Sequence, residues 1–317
     1  ALCADAGAQG RGGGAPRGAA APAAGVRSRL VQGNVWLINA GFVNVAAQIG
    51  PDGVFVVDTG TEAMGEKILA GKPIRYIVNT HAHADHIGGN VVIAKAGRSI
   101  ISGNFAPQAG AEAANAAKIV AHENTQLRMA EGDKPAPTAA MPTDTFFVRR
   151  YDMFFNGEAI QMLYEPNAHT DGDVIVYFRK SDVVVTGDVY VNTTFPVINL
   201  QQGGSLNGII AALNRIIEIT VPKDKQEGGT YVIPGHGRLA DEADVVEYLD
   251  LVTIIRDRLN DAIKKKMTLE QVKAAKLVRD YVGRYGATQG FWTTDAFLEA
   301  AYKSLSAPAA ETTSRAR

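Results

Sequence analysis

One cysteine, two tryptophans and six histidines are all that a chain of 317 residues contains of three chemically versatile residue types. The lone thiol, Cys3, excludes an intramolecular disulfide framework and any metal cage built from cysteine. An excess of one charge is also lacking: 32 lysines and arginines face 33 aspartates and glutamates, and the longest basic run is Lys264-Lys265-Lys266. A phosphate-binding footprint is therefore absent, and nucleic acid is not an expected partner. Long apolar runs are missing as well. No stretch approaches the roughly 18 residues needed to cross a bilayer, so no membrane span is expected.

What is present suits a globular protein with a substantial core: 46% of residues are hydrophobic and 21% charged. Residues 1–25 are almost all alanine, glycine and proline, too poor in large apolar side chains to pack, and read as a disordered tail. The "ALCADA" start resembles the remnant of a small-residue cleavage region, which makes an exported protein, periplasmic or secreted, the expectation. Residues 306–317 read as a second loose end.

Between the tails, period-two apolar runs alternate with helical stretches. "NVWLINA", "NVAAQIG" and "VFVVDTG", separated by turn signals, predict an antiparallel meander. After it come a short helix from Glu62 to Ala70, the strand "IRYIVNT" and a long alanine-rich helix over 106–131. The second set of strands comprises "FFVRRYDMFF", "AIQMLYEP", "DVIVYFRK" and "DVVVTGD". Then come a helix from Leu206 to Ile219, the strand "TYVIPGHG", and helices from Asp241 to Leu305 broken near Met267-Thr268 and between Gly283 and Gly290. This order implies an α/β or α+β fold.

Against that scarcity of imidazole, "THAHADH" places His81, His83 and His86 with Asp85 in six positions just after an apolar strand. Neighbouring side chains in a tightening turn diverge, which suits two adjacent metal ions. His169 in "EPNAHTDGD" and His236 in "VIPGHGR" also come directly after apolar strands, as does Asp188 in "VVVTGDVY". Five of the six histidines and two aspartates thus fall at strand ends, where a sheet brings them together. His122, in the stretch read as helix, has no such neighbours and is left out of the site.

These motifs, with "VVDTG" at 56–60, resemble the metallo-β-lactamase superfamily over roughly residues 28–240. The resemblance implies a four-layer αβ/βα sandwich as the catalytic domain (26–240), carrying a helical C-terminal extension (241–305). It also implies that His81, His83 and His169 hold one metal, that Asp85, His86 and His236 hold the other, and that Asp188 bridges them, with Asp58 orienting the ligands. Neutral imidazoles and few carboxylates suit two Zn²⁺, with iron or manganese as alternatives. The implied activity is hydrolysis of a small-molecule ester, lactone, thioester or amide, β-lactams included, by a zinc-bound hydroxide. Asp85 is the candidate proton shuttle.

The aspartate at position 188 looks like the bridging ligand of glyoxalase II-like, lactonase-like and phosphodiesterase-like members, whereas the familiar zinc β-lactamases generally carry cysteine or serine near that place. Lys264 to Lys266 point in several directions along a helix and read as a solvated face rather than a ligand clamp. Tyr190, Asn192 and Phe195 are candidates for the site mouth, Tyr190 as a hydroxyl donor to a developing oxyanion, or else as a packed core residue. The final helix, capped near Thr294, is expected to pack on the parent domain, with closure over the site or a homodimer contact as alternatives. Two rival readings remain: a mono-iron persulfide dioxygenase using the residues matching His81, His169 and Asp188, and a non-catalytic metal domain.

Overall fold

The structure is a computed structural model, and it describes residues 26–63, 73–98, 116–132 and 134–307. The N-terminal tail, nearly all of the C-terminal one, most of the helix expected at 62–70 and the first part of that expected at 106–131 lie outside the described residues.

Two sheets stack face to face. The first runs β1 (Arg27–Gln32), β2 (Val35–Ala40), β3 (Val43–Gly50), β4 (Gly53–Val57), β5 (Ile74–Val78), β6 (Lys118–His122) and β7 (Asp144–Phe146) in spatial order. Its first four strands form the antiparallel meander, and its last four lie parallel. The second sheet runs from β8 (Arg150–Phe155) through β9 (Glu158–Tyr164), β10 (Val174–Phe178), β11 (Val183–Val185) and β12 (Tyr231–Ile233) to β13 (Ala240–Asp241).

The period-two patterning decides which layer each side chain enters. In β10, Val174, Val176 and Phe178 fill the space between the sheets, while Ile175 and Tyr177 face the outer helices. In β4, Phe55 and Val57 join that same central layer, and Val54 and Val56 face the opposite flank. Strands buried on both sides are accordingly continuous apolar runs rather than alternating ones.

Helices cover both outer faces. On the first sheet lie α1 (Ala84–Ile87), α2 (Asn90–Ala96) and, after β6, α3 (Glu123–Ala130). On the second lies α4 (Leu206–Ile219), which starts where the Ser205 hydroxyl accepts from the Gly208 N–H and buries Leu206, Ile209, Ile210, Leu213 and Ile216 at helical spacing. It packs with α5 (Glu242–Lys264), after which come α6 (Leu269–Ala274), α7 (Arg279–Tyr285) and α8 (Thr294–Ser306). Helix, sheet, sheet, helix is the four-layer αβ/βα sandwich, with the helical C-terminal part packed on the second sheet.

Several expectations need correction. Residues 118–122 form β6, not helix: Tyr76, Ile77 and Val78 pair in parallel with Lys118, Ile119 and Val120, and this burial of branched residues overrides the alanine-rich propensity. "FFVRRYDMFF" is not one strand but two, β7 and β8, which lie in different sheets because the chain crosses the sandwich at 147–149. β1 carries the exposed pattern of an edge strand and offers too little apolar periodicity to be picked out. Gly283 sits inside α7, and the last helix is capped by Thr293, whose hydroxyl accepts from the Ala296 N–H.

His122 therefore ends a strand. Its ring stacks on Tyr164 with centroids 3.6 Å apart, its Nδ1 accepts from the Asn124 N–H, and burial lowers its pKa to about 4. An unfolded chain protonates this histidine near pH 6.5, whereas the folded one stays neutral to about 4. The stability conferred by neutral His122 is thus complete above pH 6.5 and lost as pH falls toward 4. Denaturant titrations of wild type and His122→Phe at pH 7 and pH 4.5 are expected to show the smaller acid loss in the variant; equal losses would contradict this assignment.

Candidate metal centre

The parallel strands β4 and β5 end side by side, and their carboxyl ends carry the first half of the site. Asp58 comes next after β4 with a left-handed backbone (φ 61°), a conformation that aspartate tolerates better than most residues. The turn points its buried carboxylate at the next strand. That carboxylate accepts from the Thr80 N–H (2.8 Å), the Thr80 hydroxyl (2.7 Å) and His86 Nδ1 (2.7 Å). Since the Thr80 hydroxyl donates to Asp58, it is left to accept from His81 Nδ1, 3.0 Å away. This one carboxylate thus sets the tautomers of two histidines and leaves each Nε2 with its lone pair.

The other ligands come from the second sheet. His169 lies after β9, in a turn where Asp173 binds the Thr170 N–H and hydroxyl at 2.8 Å and stands 3.4 Å from His169 Nδ1. Asp188 lies after β11 in a 3-10 turn, and His236 lies after β12, giving its Nδ1–H to the Phe42 carbonyl at 2.9 Å. β11 and β12 are parallel neighbours, so their ends also coincide.

The structure brings the candidate residues into two groups. His81, His83, His169 and Asp188 form one, and Asp85, His86 and His236 the other; within each, one potential ligand atom per residue lies within 4.8 Å of the rest. Asp188 joins the two: it is itself a member of the first group, and its Oδ1 lies 3.2 Å from His86 Nε2 and its Oδ2 3.3 Å from His236 Nε2 of the second. Asp85 Oδ2 lies 3.3 Å from His236 Nε2.

A cation fits this arrangement. His81 Nε2, His169 Nε2 and Asp188 Oδ1 are buried and have no hydrogen-bond partner, and a buried polar atom without one is costly. A divalent ion supplies the missing partner. The electrostatics agree. Burial, together with the neighbouring His86 and His169, holds the His81 pKa well below the usual histidine value, and burial with His169 holds His83 at about 4, so both offer neutral imidazoles. Burial opposes charge on His86 and His236 too, but the Asp188 carboxylate, with Asp58 beside His86 and Asp85 beside His236, outweighs it and raises His86 well above its usual value and His236 to about 10. Metal must compete with protons at those two rings, so affinity in the second group falls on acidification.

Asp58→Asn leaves every ligand in place but weakens the acceptor that orients His86 and Thr80. Metal affinity is expected to drop about tenfold to a hundredfold, measured by competition with a chromophoric chelator; an unchanged affinity would rule out the orienting role.

Tyr190 is not at the mouth. It is 1% exposed and packs edge-on against Tyr248 in the core beneath the outer helices. Phe195 is equally buried, stacked on Phe297 of α8, and Asn192 clamps the His236 turn through the Arg238 backbone. His122 belongs to neither ligand group. Two residues that sequence reasoning missed do border the ligands. Phe42, 60% exposed, lies parallel to the His236 ring at 5.7 Å. The Asn199 amide lies 2.9 Å from His83 Nε2, in a segment that the C-terminal helices hold through Trp292 Nε1 to the Pro196 carbonyl and Tyr248 Oη to the Thr194 carbonyl. Neither carries a local sequence signal, since only the folding of distant segments brings them to the site.

A four-layer sandwich with histidines and aspartates gathered at the edge between its sheets defines an α/β protein with a candidate metal centre. The sequence profile of the metallo-beta-lactamase superfamily matches residues 29–236, and the chain belongs to that superfamily. A relative, the 2,4-dinitroanisole O-demethylase subunit alpha of Nocardioides sp. (strain JS1661), is 29% identical over 178 residues, 50% of this chain and 47% of that one. The chain thus matches about half the length of that relative. Among solved structures, a metallo-beta-lactamase from Pontibacter korlensis is similar with a TM-score of 0.53 and 19% identity, over 72% of this chain and 99% of the other. The stereoselective inverting sec-alkylsulfatase Pisa1 from Pseudomonas sp. is similar with a TM-score of 0.59 and 14% identity, over 88% of this chain and 50% of the other. At these identities the likeness is one of fold.

Proposed function

We propose that the protein is a hydrolase that holds two divalent ions, zinc by its donor set, and cleaves an ester, lactone, thioester or amide bond in a small molecule. The observation that carries the reading is Asp188, which is a member of the first ligand group and whose two oxygens lie beside His86 and His236 of the second. Ions held there supply Lewis acidity that activates water and polarises the scissile bond.

The chain's own residues supply the rest. Asp188 and Asp85 balance the cation charge, and the paired Asp58 and Thr80 keep the imidazoles aimed. Asp85 is a quarter exposed, and its Oδ2 lies beside His236. Burial pushes its pKa up, but contact with His236 and the charge of His86 outweigh that and keep it low. Near neutrality it is therefore ionised and can take a proton from the attacking water and pass it to a leaving group. Phe42 offers an apolar wall to the substrate.

The same geometry bears on the rivals. A mono-iron dioxygenase needs only the residues matching His81, His169 and Asp188, yet Asp85, His86 and His236 converge as a second group, with His86 held by the same Asp58 carboxylate that orients His81 through Thr80. Closed structural sites leave no position open, whereas Asp85 and His236 have side chains 25% and 21% exposed. The test is a turnover panel on zinc-reconstituted protein: lactones, thioesters, β-lactams, phosphodiesters and, because of the demethylase relative, activated aryl methyl ethers. Zinc-dependent cleavage of a carbonyl substrate supports the reading; oxygen uptake with a persulfide and iron in its place overturns it.

A further inference from the structure

Among the described residues, no strand pairs with the outer side of β8, which ends the second sheet. β8 has no proline and no bulge, and its register against β9 runs unbroken from Arg150 opposite Leu163 to Phe155 opposite Glu158. Natural edges are usually blunted by such devices, because a free edge is a template for another strand. This one instead exposes apolar side chains: Phe154 is 76% exposed and Val148, just before the strand, 42%. Between them stand Arg150 and Asp152, whose side chains are 55% and 46% exposed and which pair with each other at 2.7 Å.

The hydrogen-bonding phase of the edge is set by its neighbour. The Tyr164 N–H donates to the Arg149 carbonyl at 3.0 Å, so odd-numbered residues bond to β9, and the N–H and C=O groups of Arg150, Asp152 and Phe154 point out of the sheet. A second copy of the strand can satisfy those groups only in an antiparallel register that sets even residues opposite even ones. Four two-fold registers overlap most of the strand, and the one centred on Met153 sets Asp152 opposite Phe154 and Arg150 opposite Asn156, pairing no opposite charges. Centring on Arg150 or on Asp152 puts that charge directly opposite its own copy, which is destabilising. Centring on Tyr151 puts Arg150 opposite the Asp152 of the other copy, twice, and Phe154 opposite Val148.

We propose that β8 is the interface of a homodimer, in which two copies pair antiparallel about Tyr151 and join their second sheets into one continuous sheet. The pairing is isologous, so it closes at two chains. It replaces the weak ion pair within each exposed strand by two across the interface and covers Phe154 and Val148.

Light scattering coupled to size-exclusion chromatography of the full chain, over a series of concentrations, tests this. Wild type is expected to show the mass of two chains. Arg150→Asp and Asp152→Arg are each expected to show the mass of one chain where wild type is dimeric, because each sets like charges opposite in both pairs. Mixed in equal amounts, these two variants are expected to recover the double mass, since every cross-strand pair is then of opposite sign. Phe154→Lys, at an exposed tip, is expected to lose the dimer independently, and thermal melting checks that each variant is folded. A monomeric wild type, single variants that remain dimeric, or a mixture that stays monomeric would each overturn the proposal.

Discussion

Asp188→Asn is expected to reduce turnover on the order of a thousandfold and to lower bound metal from two ions per chain to one or fewer. The expectation rests on position and charge together. Asp188 is buried, its oxygens lie 3.2 and 3.3 Å from the Nε2 atoms of His86 and His236, and one oxygen has no hydrogen-bond partner. Burial alone would raise its pKa, yet His86 and His236 hold it well below the usual carboxylate value, so it is anionic at any working pH. An amide of the same shape removes that charge and turns one acceptor into a donor aimed at cations. Lewis-acid stabilisation is worth several kcal/mol, which corresponds to about a thousandfold in rate. Turnover assayed alongside metal content separates this from simple unfolding, and a variant that kept two ions and full activity would show that Asp188 does not bridge.

Gly235→Ala is expected to cause a loss approaching that of Asp188→Asn, although it alters no ligand. A Cβ at this position would lie 2.0 Å from Asp188 Oδ1 and 2.8 Å from the Gly187 backbone. Something must move, and the glycine cannot move easily, because its N–H donates to the Gly187 carbonyl and its own carbonyl accepts from the Asn44 N–H. The Asp188 carboxylate is therefore displaced from between the two ligand groups. Overpacking of this kind also costs about 1–3 kcal/mol of stability. The expected pattern is a modest fall in melting temperature with a large fall in metal affinity, read by chelator competition. A variant that melts lower yet binds metal as wild type would mean the carboxylate is not confined as described.

The site was largely legible in the sequence because its ligands are short-range signals. Each sits just after an apolar strand, and "HAHADH" packs four of them into one turn, so their convergence needs only that the strand ends lie together. The central strands were legible for the same reason: "DVIVYFRK" and "VFVVDTG" are apolar through their centres, and such segments have few alternatives to a sheet covered on both sides. The helix at Leu206–Ile219 was legible from apolar residues recurring at helical spacing, and the structure adds the Ser205 cap.

What was not legible depends on distant partners. "KIVAHENTQ" has the local preferences of a helix, and only the edge of β5 makes its first half a strand. The crossing between β7 and β8 leaves "FFVRRYDMFF" unbroken in pattern while sending its two ends to different sheets. Tyr190 stands close enough after the bridging aspartate to suggest a place in the mouth, but the 3-10 turn at Gly187–Val189 turns it into the core against α5. Phe42 and Asn199, by contrast, reach the ligands across more than a hundred residues of sequence. No local pattern records such a contact.

The most direct test of a two-ion centre is the metal content of the purified full chain, measured by inductively coupled plasma mass spectrometry against protein concentration from the same sample. About two divalent ions per chain, zinc foremost, is the result expected from two ligand groups joined through Asp188. About one iron per chain, unchanged on replacing Asp85 or His236, would contradict it and return the protein to oxygen chemistry at a single metal.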